Sequence, residues 1–244
     1  MLKAVISANR LKEIIDAVST LVDEVKFKLS NNGISIRAVD PANVAMVSFE
    51  ISSDAFESFE ASDGVLGVDL KKLKDDVLSM VSGSEDVLIE LEDGKLLVKF
   101  LNLTYAISLL DPSSIRKEPK VPSLELPAQI VLSGDEFRRA VQAAGKISDH
   151  IAFGVEGEVF FMEAKGDLDR VRLELTKDKL ISLKSAPARS LYSLDYLSDM
   201  IKPISKTDEV CIDIGKDFPM KISFTIAEDK GKVEYLLAPR VEAE

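Results

Sequence analysis

LKEIIDAVSTLVDEVKFKL, residues 11–29, has a counterpart in FRRAVQAAGKISDHIAFGV, residues 137–155. Leu11 matches Phe137, Ile15 matches Val141 and Asp23 matches Asp149, all at an offset of 126. Val25 with Ile151 and Phe27 with Phe153 keep the same offset. In both stretches apolar residues at helical spacing run into strict alternation, the signature of a helix feeding a strand. The likeness returns downstream. Val68-Asp69-Leu70 aligns with Leu194-Asp195-Tyr196 at 126, and Asp86-Val87-Leu88-Ile89 with Glu209-Val210-Cys211-Ile212 at 123. Leu109-Leu110-Asp111-Pro112 aligns with Leu236-Leu237-Ala238-Pro239 at 127. Four matches in order predict a duplicated chain. Asp111–Pro127 holds four of the nine prolines and little periodicity. Proline lacks an N–H and fixes φ, so this segment reads as an extended connector. The expected division is therefore 1–110, a connector at 111–127, and 128–244.

Each half reads as an α+β unit. Leu11, Ile14, Ile15, Val18, Leu21 and Val22 form one stripe of a first helix that starts after Ser7 or Asn9, both good N-caps. A third helix starts near Ser133, with Phe137, Ala140, Val141, Ala144 and Ile147 on its stripe. A second is expected over Leu70 to Val81, with Leu70, Leu73, Val77 and Met80 inward. A fourth is expected over Asp195 to Ile204, with Leu197, Met200, Ile201 and Ile204 inward. Asn32-Gly33 and Asp93-Gly94 sit between alternating runs and predict hairpins. Strands outnumber helices, so antiparallel sheets carrying helices on one face are expected.

Composition narrows the function. The net charge of -11 argues against a generally basic, nucleic-acid-coating surface. The helix segments carry ten basic residues: Arg10, Lys12, Lys71, Lys72, Lys74, Arg138, Arg139, Lys146, Lys202 and Lys206. Against these stand eight acids, so the helices total +2 and the rest of the chain -13. Such faces are either plain solvated surface or a weak phosphate-facing surface that reads no bases. The single cysteine, Cys211, allows no internal disulfide and lies in an apolar alternation, which predicts a buried, inert thiol. No stretch approaches the roughly 20 apolar residues that span a bilayer. Residues 1–10 lack a charged-then-apolar leader, so a soluble intracellular protein, cytoplasmic and nucleoid-associated, is expected, with no membrane partner.

Catalytic chemistry is thinly supplied. His150 follows Asp149, but no nucleophile motif accompanies the pair, and Ser82-Gly83-Ser84 reads as a helix-ending turn, not a phosphate loop. The carboxylates lack a spacing that fixes a metal. No catalytic residue, metal or cofactor is expected. A nuclease on a duplicated fold and a purely structural oligomer are the competing classes.

The residues also carry a family resemblance. AVDPANVAMV (38–47), the proline-rich connector, KDFPM (216–220) and YLLAPRVE (235–242) resemble, in order, the sliding clamps of the PCNA family, in an acidic form closer to archaeal than to eukaryotic members. The resemblance covers essentially the whole chain. It implies two clamp domains per chain and a closed homotrimeric ring, with helices lining a central channel and antiparallel sheets outside. It implies a non-enzymatic processivity factor for DNA replication and repair. Such a clamp encircles double-stranded DNA without sequence preference and tethers DNA polymerase, clamp loader, flap endonuclease and DNA ligase through short peptide motifs. A subunit of a heterotrimeric or checkpoint-type clamp is the alternative. Carried over by residue, the DNA-facing positions are Lys12, Arg139, Lys146 and Lys202, with Arg10, Lys72 and Lys74 as neighbours. Glu13, Ser19 and Gln142 stand where eukaryotic members are basic. The peptide-docking positions are Val39, Val44, Met46, Leu124, Leu126, Pro219, Met220, Leu236, Ala238 and Pro239, with Leu236 replacing a tyrosine of eukaryotic clamps. The subunit contacts are Tyr105, Ile107 and Leu109 of one copy, within a strand Thr104–Leu110, against Val171, Leu173 and Leu175 of the next.

Overall fold

A computed structural model of the chain describes residues 1–240. Val241 and Glu242 of the quoted ending, and the last four positions of the expected second domain, lie outside the described residues. The chain divides into two compact units. The first comprises Met1–Pro41, Met46–Pro119 and Thr225–Val233; the second comprises Ala42–Ala45, Lys120–Phe224 and the chain from Glu234 onward.

The first unit begins with β1 (Leu2–Ser7) and α1 (Ala8–Ser19), followed by β2 (Glu24–Ser30), β3 (Gly33–Val39), β4 (Ala45–Ser52), β5 (Ser58–Ala61) and β6 (Gly64–Asp69). Then come α2 (Leu70–Lys72), continued by a π-helical stretch Leu73–Leu78, and β7 (Asp86–Glu92), β8 (Lys95–Phe100) and β9 (Leu103–Ser108). One run of strands is ordered β5-β1-β7-β8-β9 and another β4-β3-β2-β6, all antiparallel. The predicted hairpins are both present. At the second, Glu92 pairs with Lys95 across Asp93 and Gly94, whose φ values of 48° and 73° give the two-residue turn that matches strand twist.

The second unit holds β10 (Ala128–Ser133), α3 (Gly134–Ala144), β11 (His150–Glu156), β12 (Val159–Lys165), β13 (Arg170–Thr176) and β14 (Ser182–Lys184). It continues with β15 (Ala188–Ser193), α4 (Leu194–Met200), β16 (Glu209–Ile214) and β17 (Met220–Ile226); β18 (Gly231–Leu237) is the last strand. Its strand runs are β14-β10-β16-β17 and β13-β12-β11-β15. Each position has a counterpart in the first unit, β5-β1-β7-β8 and β4-β3-β2-β6, so the duplication holds strand for strand.

Backbone anchors repeat as well. The first helical N–H of α1 donates to Glu85 O and that of α3 to Asp208 O, both at 2.8 Å. Leu70 N donates to Asp23 O at 2.7 Å, and Leu194 N to Asp149 O at 2.9 Å. These bonds occupy donors that helix starts otherwise leave unmet. They also correct the alignment. Leu70 and Leu194 each open a helix, so the second and fourth helices correspond at 124, two residues from the sequence match. The isolated bridges Gly67–Leu110 and Leu191–Arg240 set the closing segments at 130, not 127. The sequence match pairs like residues that occupy unlike positions of those segments.

Apolar stripes become cores as the spacing requires. Leu11, Ile14, Ile15 and Val18 of α1 are buried, as are Phe137, Ala140, Val141 and Ala144 of α3. In the second unit Phe153 lies 6.2 Å from Phe137, 6.1 Å from Phe160 and 5.7 Å from Tyr192, centroid to centroid, with edge-to-face or tilted rings. Three expectations change. Leu21, Val22 and Ile147 fall beyond their helices and are only half-buried. Helix four stops at Met200, although Ile201 and Ile204 are buried beyond it. In the second helix Met80 is 50% exposed, while Leu78 and Val81 are buried instead. The i→i+5 winding of the π stretch turns the later residues away from α-helical phase.

Candidate functional site

The solvent faces of the helices carry the predicted cations, but most are already engaged. In the first unit the Lys12 amine donates to Val81 O, and Lys74 pairs with Asp16 at 2.8 Å and reaches Ser19 Oγ at 3.3 Å. Arg10 donates to Ala55 O at 3.1 Å and pairs with Glu228 at 2.6 Å. Lys72 is exposed, and no ion pair engages its amine among the described residues. In the second unit Arg139 pairs with Asp135 one turn earlier, and Lys202 with Asp199. Lys146 is exposed and likewise has no acid partner among the described residues. Arg138 is no solvated cation: it donates to the carbonyls of Ile201, Lys202 and Ile204 and so caps the end of α4. Glu13 also has a local task, accepting from Ala227 N at 3.1 Å. Surface pairs of this kind are worth ~1 kcal/mol or less and trade readily for other partners.

Among the described residues β9 and β13 each stand at one end of their sheet, as β5, β6, β14 and β15 do. β9 pairs with β8, and no second partner is present among the described residues. Tyr105 stands opposite Val98, Ile107 is buried opposite Leu96, and Leu109 follows the strand, half-buried. LTYAIS contains no charge and no proline, the devices that normally protect an edge. Among the described residues β13 pairs with β12 alone. Val171, Leu173 and Leu175 oppose Ala164, Met162 and Phe160, with Leu175 buried. On the other face Arg172 stacks on Phe161, 4.0 Å from the ring centroid, and both Arg170 and Arg172 pair with the nearly buried Glu163.

The docking residues fall into two groups. In the first unit Val39 and Met46 are opposite partners where β3 and β4 meet; Val39 is half-buried and Met46 buried. In the second unit Ala238 N donates to Val44 O at 2.9 Å, and Leu124, Leu126, Pro219, Leu236, Ala238 and Pro239 are half-buried. Met220 is 0% exposed and acts as core, so its side chain is not offered to a ligand. Beside it Phe218 is 48% exposed, held by the bond from Tyr192 Oη to Phe218 O at 2.9 Å. Phe218 lies within the KDFPM stretch and is one of the large apolar side chains left exposed.

No catalytic cluster is assembled among the described residues. His150 opens β11, with its own N–H donated to Ser148 Oγ at 3.3 Å. Cys211 is half-buried, not buried, because it faces away from the core side that Val210 and Ile212 occupy. Among the described residues no group of three metal-ligating side chains is present, and no helix is long and apolar enough to cross a membrane.

Strand for strand, two such units define the duplicated clamp class of α+β proteins. The family model for the N-terminal domain of proliferating cell nuclear antigen matches residues 1–106, and that for its C-terminal domain matches residues 120–240. A DNA polymerase sliding clamp from the archaeon Methanococcoides burtonii is 54% identical, with all of each chain covered. Among solved structures, A. fulgidus PCNA bound to the C-terminal region of FEN-1 superposes with a TM-score of 0.96 at 39% identity over both full chains. PCNA from Thermococcus kodakaraensis gives 0.91 at 28% identity, covering 98% of this chain and all of that one. The chain belongs to the proliferating cell nuclear antigen family.

Proposed function

We propose that the protein is a DNA polymerase sliding clamp, closing with two further copies into a ring around duplex DNA. The observation that carries this reading is the 54% identity, over the full length, to a protein named for that function. The open edges support the assembly. A head-to-tail contact between β9 of one copy and β13 of the next would pair both edges, and it closes into a ring when its rotation does. Tyr105, Ile107 and Leu109 would face Val171, Leu173 and Leu175 there. The division we propose is 1–110, connector 111–127 and 128–244.

Inside the ring Lys12, Arg10, Lys72, Lys74, Arg139, Lys146 and Lys202 would face phosphates. Topology, not affinity, would hold the duplex, so the extensive acid pairing of these cations suits sliding. The clamp performs no reaction of its own. It tethers DNA polymerase, clamp loader, flap endonuclease and ligase through short peptides, inside the cell where DNA lies. The solved relative bound to the C-terminal region of FEN-1 supports a peptide mode of docking. Val39, Val44, Leu124, Leu126, Pro219, Leu236, Ala238 and Pro239 would receive the peptide's apolar anchors, with Met46 and Met220 supporting them from beneath.

The test is polymerase processivity on primed circular DNA with a loader present. Leu126→Glu is expected to abolish both partner-peptide binding and processivity while leaving the oligomer's solution mass unchanged. Undiminished peptide affinity in this variant would refute the docking assignment.

A further inference from the structure

The first unit contains a pocket of about 330 Å³ between the strand β2, the end of β3 and the start of the connector. Its rim carries Lys26, Arg37, Arg116 and Lys117 against two acids, Asp23 and Glu24. A net positive cavity is out of keeping with a chain of charge -11. The rim is also built, not incidental. Arg116 Nη1 donates to Asp40 O, and Lys28 pairs with Glu118 at 2.6 Å, so the connector's first residues are fastened onto β2 and β3. Buried Ile115 beneath them fixes the same segment. Arg37 lies directly opposite Ser48 in the β3–β4 ladder. Its Nε is buried and has no hydrogen-bond partner, and Ser48 Oγ is in the same condition. A buried donor left unpaired loses its water without recompense, so it calls for an explanation.

We propose that this pocket receives an acidic flank of the partner peptide, its Asp or Glu carboxylates pairing with Arg37 and the neighbouring lysines. A carboxylate matches the guanidinium fork in two parallel bonds. It would supply the acceptor that the protein does not provide, once the fork turns on its stem to present Nε. Val39 lines the pocket and is also one of the residues assigned to the apolar anchors, so one peptide would engage both. The inference rests on the peptide-docking reading and adds to it the charge the partner should carry outside its anchors.

Two measurements test it on the full-length protein. In the first, labelled peptides with apolar anchors, such as the C-terminal region of a flap endonuclease, carry a flank of four glutamates, four serines or four lysines, at either end. At low ionic strength the glutamate flank should bind about fivefold more tightly than the serine flank, with the lysine flank weakest. The advantage should vanish in Arg37→Gln/Lys117→Gln, which should bind the serine-flanked peptide as the wild type does. Equal affinity for all three flanks, or an advantage that survives the double substitution, overturns the proposal. In the second, a blocked tetraglutamate peptide is added alone and the Arg37 Nε–Hε resonance followed, with a blocked tetraserine peptide as control. A shift with the tetraglutamate only is expected; no shift overturns the proposal. If no anchored peptide binds while Arg37 still responds, the pocket stands and the docking reading falls.

Discussion

Tyr192 shows how one side chain ties the second unit together. Its ring packs edge-on to Phe153, and its hydroxyl donates to Phe218 O at the base of an exposed loop. Burial pushes its phenol from 10.0 up to about 12. The folded state therefore keeps a proton that the unfolded chain gives up. The associated stability is fully present below pH 10.0 and is lost as pH rises through about 12. A displacement of that size corresponds to about 2–3 kcal/mol. Denaturant titrations across this range should show the wild type losing about that much more stability than Tyr192→Phe. Parallel losses in the two proteins would remove the phenol as the cause. Gly67 is the counterpart constraint in the first unit. A Cβ there would stand 2.4 Å from Leu110 O, so the bridge that starts the connector needs glycine. Nothing in a single sequence distinguishes that glycine from one in an ordinary turn, because the carbonyl it makes room for is 43 residues away.

At the scale of elements, what was legible depended on how local the cause was. Hairpins at Asn32-Gly33 and Asp93-Gly94 follow from turn chemistry, and the structure contains them as expected; the stripes of α1 and α3 follow from spacing and hold as far as Val18 and Ala144. The Ser133 cap, whose Oγ accepts from Glu136 N and bonds its carboxylate, is likewise local. The π stretch of the second helix was not legible, and Met80 is expected inward only if α-helical phase continues. The burial of Met220, the capping role of Arg138 and the pocket around Arg37 also escaped. Each depends on residues distant in sequence. β9 yields a prediction of its own. Ala106→Lys with Ser108→Lys places charge at two exposed positions of an otherwise uncharged edge. Solution mass should fall toward that of one chain, with circular dichroism unchanged. A persistent oligomer would show that this edge is not the contact.

For the whole molecule the question is how a strongly acidic chain would meet the duplex that the proposed ring encloses. Most of its helical cations already have acid or carbonyl partners, so few counterions would be released on contact with DNA. Each phosphate contact removed should flatten the slope of log K against log salt by about 0.9. Lys72→Gln with Lys146→Gln should therefore flatten the salt dependence of DNA binding. Arg139→Gln with Lys202→Gln, each cation already neutralised by Asp135 or Asp199, should change it little. The reverse ranking would mean that the acids release their partners to the duplex.

The uncharged β9 edge also bears on the life of a newly made subunit. Under the proposed β9–β13 contact, six residues of strand-forming backbone would face solvent until another copy arrived, with no lysine or proline among them to discourage a wrong neighbour. Dilution then becomes a hazard in itself: the scarcer the chain, the longer each copy waits uncapped. With β9 as the proposed contact, a cell that keeps the chain abundant would shorten that wait for every copy.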